Sequence, residues 1–288
     1  MIQARNKLSQ EELSEAKKLI NCCQAYDETY RDPYLSNMLN FDTNMPAFFL
    51  YYEKGELVGL LTVYADDPDV EVAILVHPNH RCQGIARALY RSFEKETASY
   101  PIESVTFQTE RIFLERHPDF ASNWGLVEDE ETETWLGKDR RPYPLANVSN
   151  LEVLLADSSY QDQISQLKFQ AFSEDHESRE VVDRYVAKAL KDPESLLYIL
   201  LKNGQVIGTC TVDLSSNTNY LFGLAIAELE RGKGYGTYLA KSLINQLIEQ
   251  NDKAFQIAVE DSNLGAKRLY EKIGFVKQTQ VVYLKPKV

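Results

Sequence analysis

The chain has 288 residues, 44% of them hydrophobic and 26% charged, with a formal net charge of −12. That length suits two domains, each able to bury a core of its own. Most of the acidic excess falls in residues 1–145, and a surface of that sign excludes phosphate-backbone binding, which rests on Lys and Arg.

The start, Met1 to Lys7, runs into a charged helical pattern and lacks the apolar core of a secretory signal. No apolar run reaches the roughly 18–20 residues of a membrane helix. A cytoplasmic protein is expected, a monomer or homodimer with neither a nucleic-acid nor a membrane partner. The four cysteines, Cys22, Cys23, Cys82 and Cys210, form no C-x-x-C pair, and His77, His80, His117 and His176 form no H-E-x-x-H, so no metal is expected.

In chain order, Glu11 to Gln24 reads as a helix. Phe48 to Gly59 reads as a hairpin turning at Lys54-Gly55. The apolar strand Val72 to Val76 leads into Arg81-Cys82-Gln83-Gly84-Ile85-Ala86. After Trp124-Gly125-Leu126, the stretch Arg140-Arg141-Pro142-Tyr143-Pro144 suits a linker. Ile164 to Phe172 and Val181 to Leu190 read as helices, and Leu197 to Gly208 as a hairpin whose Asn203-Gly204 turn favours positive φ at both positions. The strand Leu221 to Ile226 leads into Arg231-Gly232-Lys233-Gly234-Tyr235-Gly236. From Thr237 to Ile248, Leu239, Leu243 and Leu247 recur every fourth residue, beside Ala240, Ile244 and Ile248, which makes an amphipathic helix.

The second half of this order repeats the first. Gly55 and Gly204 stand 149 positions apart, as do Gly59 with Gly208 and Gly125 with Gly274, while Arg81 and Arg231 stand 150 apart. Such a constant offset marks a tandem duplication. The fold class is α/β: two tandem domains, each a mixed, largely antiparallel sheet flanked by helices. The expected bounds are 1–140 and 151–288, with 141–150 as linker.

A glycine-rich turn between a strand and a helix places unpaired N–H groups and the positive end of the helix dipole together, a site for an anion. By itself it could equally be an ordinary tight turn. Gly232-Lys233 is followed by Gly234, not by the Ser or Thr of a Walker A loop, and G-x-G-x-G is not the Rossmann spacing.

The segment Ile226 to Gly236 resembles the acetyl-CoA-binding motif [RQ]-x-x-G-x-[GA] of the GNAT N-acetyltransferase superfamily, met at Arg231, Gly234 and Gly236 and again at Arg81, Gly84 and Ala86. Val259 to Phe275 is similar to that family's N-x-x-A-x-x-L-Y-x-x-x-G-F signature at Asn263, Ala266, Leu269, Tyr270, Gly274 and Phe275. The resemblance spans both halves and is closer in the second. It implies tandem GNAT-like domains and transfer of an acetyl group from acetyl-CoA to a primary amine, of a small molecule on this reading, by direct attack. It implies that the backbone of Leu224, Ala225 and Ile226 pairs with the pantetheine arm. Amides from Arg231 through Gly232, Lys233, Gly234, Tyr235 and Gly236 to Thr237 would hold the pyrophosphate. Asn263 would bond the arm, and Tyr270 would protonate the departing thiolate.

Each of these residues also has a plain structural job available: Asn263 as helix cap, Gly274 as helix terminator, Tyr270 as core. An acceptor amine must lose a proton, and the candidate bases are Asp213, Glu260 and Asp261. Many members of the family carry a Glu on the strand before the loop; Glu71 stands there in the first half, Leu221 in the second. In the first half the tyrosine position falls on Ala121 and the asparagine position on Leu114. That half is expected to be catalytically silent, with Ile74, Leu75, Val76, Arg81, Cys82, Gln83, Gly84, Ile85 and Ala86 as a possible second CoA site. The competing expectation for the whole chain is an acyl-CoA-binding regulatory or interaction module without turnover. The acceptor site is expected around residues 170–184 and 213–220.

Overall fold

The computed structural model describes residues 1–146, 148–172 and 179–287. The chain divides into two compact units: residues 1–135 with 278–288, and residues 136–277.

In the first unit β1 (Ile2–Arg5) is followed by α1 (Gln10–Asp27), whose start is fixed by a capping box: Ser9 accepts from Glu12 N while Glu12 accepts from Ser9 N. Then come β2 (Phe48–Glu53), β3 (Glu56–Tyr64), β4 (Asp69–Val76) and α2 (Ile85–Thr97). After them stand β5 (Ser104–Glu110), α3 (Arg111–Arg116), α4 (Phe120–Trp124) and β6 (Leu126–Lys138), of which residues to 135 belong here. In the second unit β7 (Leu151–Leu155), α5 (Gln161–Phe172), α6 (Arg179–Ala189), β8 (Ser195–Lys202) and β9 (Gln205–Asp213) precede β10 (Asn219–Ile226). Next are α7 (Tyr235–Gln250), β11 (Phe255–Glu260), α8 (Leu264–Lys272) and, from Gln278 on inside the first unit, β12 (Val276–Pro286).

The first unit's strands lie in the order β1-β2-β3-β4-β5-β12-β6 and the second's in the order β7-β8-β9-β10-β11. β4 pairs with β5 and β10 with β11 in parallel, while β1–β2, β2–β3, β3–β4, β5–β12, β7–β8, β8–β9 and β9–β10 are antiparallel. The mixed, mostly antiparallel sheet expected from the hairpins is present in both units. The edge strands β1 and β7 were not anticipated; each pairs with the outer strand of its hairpin. The final strand places Val281 to Leu284 against β5, and Leu284 is fully buried in the first unit's hydrophobic core.

The duplication is visible in the backbone. Left-handed residues recur in pairs: Lys54 with Asn203, Gly55 with Gly204, Cys82 with Gly232, Gly84 with Gly234, and Gly125 with Gly274. Gly223 (φ 58°) breaks the pairing, because Ala73 stands at the matching place in β4 and pairs regularly with Thr62. In β10 the register slips instead. Phe222 pairs with Thr211, but the next pair is Ala225 with Thr209, so β10 carries an extra residue there. A glycine takes this left-handed bulge without the Cβ penalty an alanine would meet.

Candidate functional site

In the second unit the parallel pairing of β10 with β11 runs from Asn219/Phe255 to Leu221/Ile257 and ends there. Just beyond it comes the bulge at Gly223, then Leu224, Ala225 and Ile226. The backbone of these residues on the β11 side therefore stands at an opening between strands. A short 3-10 turn, Glu228–Glu230, leads to the exposed loop Arg231–Gly234. Gly232 (φ 75°) and Gly234 (φ 84°) are left-handed, and Gly234 caps α7 without a side-chain hydrogen bond. The first N–H groups of α7, beginning at Tyr235, so point into the loop unclaimed by a side chain, with the dipole's positive end behind them.

The other loop residues have narrower tasks. Arg231 Nε donates to the Ile226 carbonyl at 3.0 Å, clasping the strand end to the loop, and Arg231 has no carboxylate partner among the described residues. Lys233 Nζ donates to Leu229 O at 2.7 Å and Glu230 Oε2 at 3.0 Å. Gly236 is not left-handed; a Cβ there would stand 3.1 Å from Leu269 Cδ1, so its smallness lets α7 lie close to α8. Thr237 begins the apolar face of α7, on which Leu239, Ala240, Leu243, Ile244 and Leu247 are fully buried. Burial of the leucines and isoleucine contributes about 1.5–3 kcal/mol each, and this anchors the helix that presents the loop.

Asn263 Oδ1 accepts from Ala266 N at 3.0 Å and so caps α8. The residue is exposed, and no hydrogen bond to a described residue uses its amide nitrogen. Tyr270, on α8, is 4% exposed, and its ring meets Phe275 edge-on at 5.7 Å. Burial, with Cys210 and Tyr220 nearby, holds its phenol pKa well above the ordinary value, so it stays protonated at neutral pH.

The three carboxylates named as bases sit differently. Asp213 ends β9 buried, accepting from Ser215 Oγ at 2.9 Å and Ser215 N at 3.2 Å; burial pushes its pKa up to about 6 against those bonds. Glu260 is exposed and accepts from Ser262 Oγ at 3.4 Å. Asp261 is paired with Lys267. Of the expected acceptor region, residues 173–178 lie outside the described residues. Within the described part Tyr220 stacks on Phe222 at 5.8 Å, and just outside the expected bounds Tyr185 meets Phe222 edge-on at 6.5 Å.

Lys168 is a group the sequence reading passed over. It lies on α5, is 5% exposed, and donates to Thr211 Oγ1 at 3.4 Å and to the Gly223 carbonyl at 3.5 Å. Burial lowers its pKa to about 8, offset in part by Cys210. The signal was present: Ile164, Leu167, Lys168 and Ala171 share one helical stripe, and a lysine inside it is out of character.

The first unit holds a cavity of about 740 Å³ lined by Ile74, Leu75, Val76, Arg81, Cys82, Gly84, Ile85 and Ala86, among others. The parallel pairing of β4 with β5 ends at Val72/Phe107, which opens the strands there. Gln83 lies outside this lining, its side chain donating to Asn79 O at 3.5 Å. Arg81 Nε donates to Val76 O at 3.0 Å, the same clasp as Arg231, but its other nitrogens bind Asp27 at 2.7 and 2.6 Å. Cys82 adopts the left-handed conformation (φ 60°) that Gly232 takes in the other loop, a strain of about 1–2 kcal/mol. Glu71, next to Gln108, has its pKa raised by burial to about 7. No group of His, Cys, Asp and Glu among the described residues could hold a metal ion, and no described helix is long and apolar enough to cross a membrane.

Comparison with known proteins agrees with this geometry. The chain is 25% identical over 230 residues to a mycothiol acetyltransferase of Clavibacter sepedonicus, covering 76% of this chain and 73% of that protein. A GCN5-related N-acetyltransferase from Sphaerobacter thermophilus superposes with a TM-score of 0.69 at 17% identity, over 100% of this chain and 96% of that one. A tandem GNAT protein from the clavulanic acid biosynthesis pathway superposes with a TM-score of 0.69 at 16% identity, over 99% and 97%. The sequence profile described as Acetyltransferase (GNAT) family matches twice, over residues 13–137 and 161–275. The duplicated loops, the split parallel strands and this double match together make the chain a tandem member of the GNAT acetyltransferase family, and an acyltransferase.

Proposed function

We propose that the second unit transfers an acetyl group from acetyl-CoA to a primary amine of a small molecule, by direct attack and without a covalent enzyme intermediate. The observation that carries this reading is the uncapped start of α7 behind Gly232 and Gly234, next to the opening between β10 and β11. The helix N-terminus suits a pyrophosphate. The free backbone of Leu224 to Ile226 suits the amide groups of a pantetheine arm, and the Asn263 amide suits the same arm. An arm running from the loop back along β10 brings its thioester toward Gly223. Tyr270, protonated and buried, gives its proton to the departing sulfur. Incubating the protein with acetyl-CoA and a panel of primary amines, while following thiol release, tests this. Turnover above the rate of spontaneous hydrolysis is expected with at least one amine; none with any amine sinks the reading.

For the first unit the cavity favours acyl-CoA binding without turnover. The loop conformation is kept, while Ala121 and Leu114 replace the tyrosine and asparagine. Calorimetric titration of the full chain with coenzyme A should give two sites per chain. One site would remove the first unit's role as a binder.

A further inference from the structure

An amine acceptor arrives protonated, and the carboxylates near the site are poorly arranged to take that proton. Both oxygens of Asp213 accept from Ser215, Asp261 is held by Lys267, and Glu260 faces solvent. Lys168 is placed otherwise. Its Nζ lies over the ring of Tyr185 at 5.4 Å and of Phe172 at 5.9 Å, 3.4 Å from Thr211 Oγ1 and 3.5 Å from Gly223 O. A Cβ on Gly223 would stand 2.7 Å from it, so the amine fills the space that the bulge leaves. Cys210, whose thiol burial pushes up to about 12, lies in electrostatic range of both Lys168 and Tyr270. The amine thus has a hydroxyl, a carbonyl, two rings and a neutral thiol about it, and no carboxylate among the described residues.

We propose that Lys168 is a catalytic residue that takes the proton from the acceptor ammonium beside the thioester. This rests on the acetyltransferase reading, which brings the thioester to Gly223. A buried lysine with no carboxylate partner among the described residues favours its neutral form, and its pKa of about 8 leaves a usable fraction of free amine near neutral pH. Neutral Lys168 takes one proton from the acceptor's NH3⁺ group. The freed amine attacks the thioester carbon, forming the C–N bond. The C–S bond breaks as Tyr270 protonates the sulfur, and the phenolate recovers its proton from the nitrogen of the new amide. Lys168 then returns its proton to solvent, so one proton is released per turnover.

The test compares Lys168→Met and Lys168→Arg with the wild type on two kinds of acceptor: an alkylamine from the panel, and hydroxylamine, which is already neutral at pH 7. Both variants should lose about 100-fold or more in kcat on the alkylamine and keep hydroxylamine turnover within a few-fold. Arginine keeps a cation but cannot give up its proton, so recovery in Lys168→Arg would instead make Lys168 a holder of negative charge and overturn the proposal. Equal losses on both acceptors, or no loss on either, would overturn it too. A wild type inert to every amine, hydroxylamine included, would sink the acetyltransferase reading itself.

Discussion

At the scale of single residues, burial decides the chemistry. Tyr270 is recognisable from its place in the Asn263-to-Phe275 signature, yet the sequence leaves it divided between core packing and catalysis. The structure shows the packing, with the ring edge-on to Phe275, and a hydroxyl that burial keeps protonated; the acid role is the proposal. Tyr270→Phe keeps the packing and removes the proton. It should leave the melting temperature near that of the wild type while kcat falls by about 100-fold or more; full turnover in a folded variant would end the acid role. Asp213 supplies a prediction in pH. Its folded pKa of about 6 stands above the ordinary 3.8, so its contribution to stability is complete below the lower value and is lost as pH rises through the upper. Denaturant unfolding of wild type and Asp213→Asn between pH 4 and pH 7 should show the variant gaining relative stability with pH, by roughly 2–3 kcal/mol at most. Lys168 and Gly223 were the residues the sequence left unmarked. A lone lysine in an apolar stripe and a lone glycine in a strand become a pair only when α5 is laid on the bulge of β10.

At the scale of elements, caps and turns were the legible part. The Asn203-Gly204 and Lys54-Gly55 hairpins, the amphipathic α7 and the short α8 each follow from local rules, because turn residues and apolar period act within a few positions. Asn263 caps α8 through its oxygen, and on the proposed function its nitrogen bonds the pantetheine arm. Asn263→Ala should cost about 1 kcal/mol of stability, read by chemical unfolding. It should also raise the KM for acetyl-CoA, whereas a purely structural cap would leave KM alone. The β1 and β7 strands were not legible. Four or five residues without a turn at each end carry little periodic signal, and their state is set by the neighbouring strand they complete.

At the scale of the whole molecule, the repeat offset announced two copies of one plan, and the paired left-handed residues carry that plan through the backbone. The copies then diverge at single positions: Ala73 against Gly223, Ala121 against Tyr270, Cys82 against Gly232. The last strand supplies the remaining prediction. Residues 278–288 belong to the first unit, with Val281 to Leu284 paired to β5 and Leu284 in its core. Removing them should strip hydrogen-exchange protection from the amides of β5 while α7 stays protected; unchanged β5 protection would contradict the pairing. The sequence by itself determined the duplication, the two loops, the family resemblance and which copy carries the tyrosine, since these rest on residue identity and on local conformational preference. Only the tertiary structure decided where the last strand pairs, that β10 bulges at Gly223, and that a lysine from a distant helix is buried against that bulge. Strand pairing and burial join residues far apart in the chain, and no local pattern fixes which partners meet.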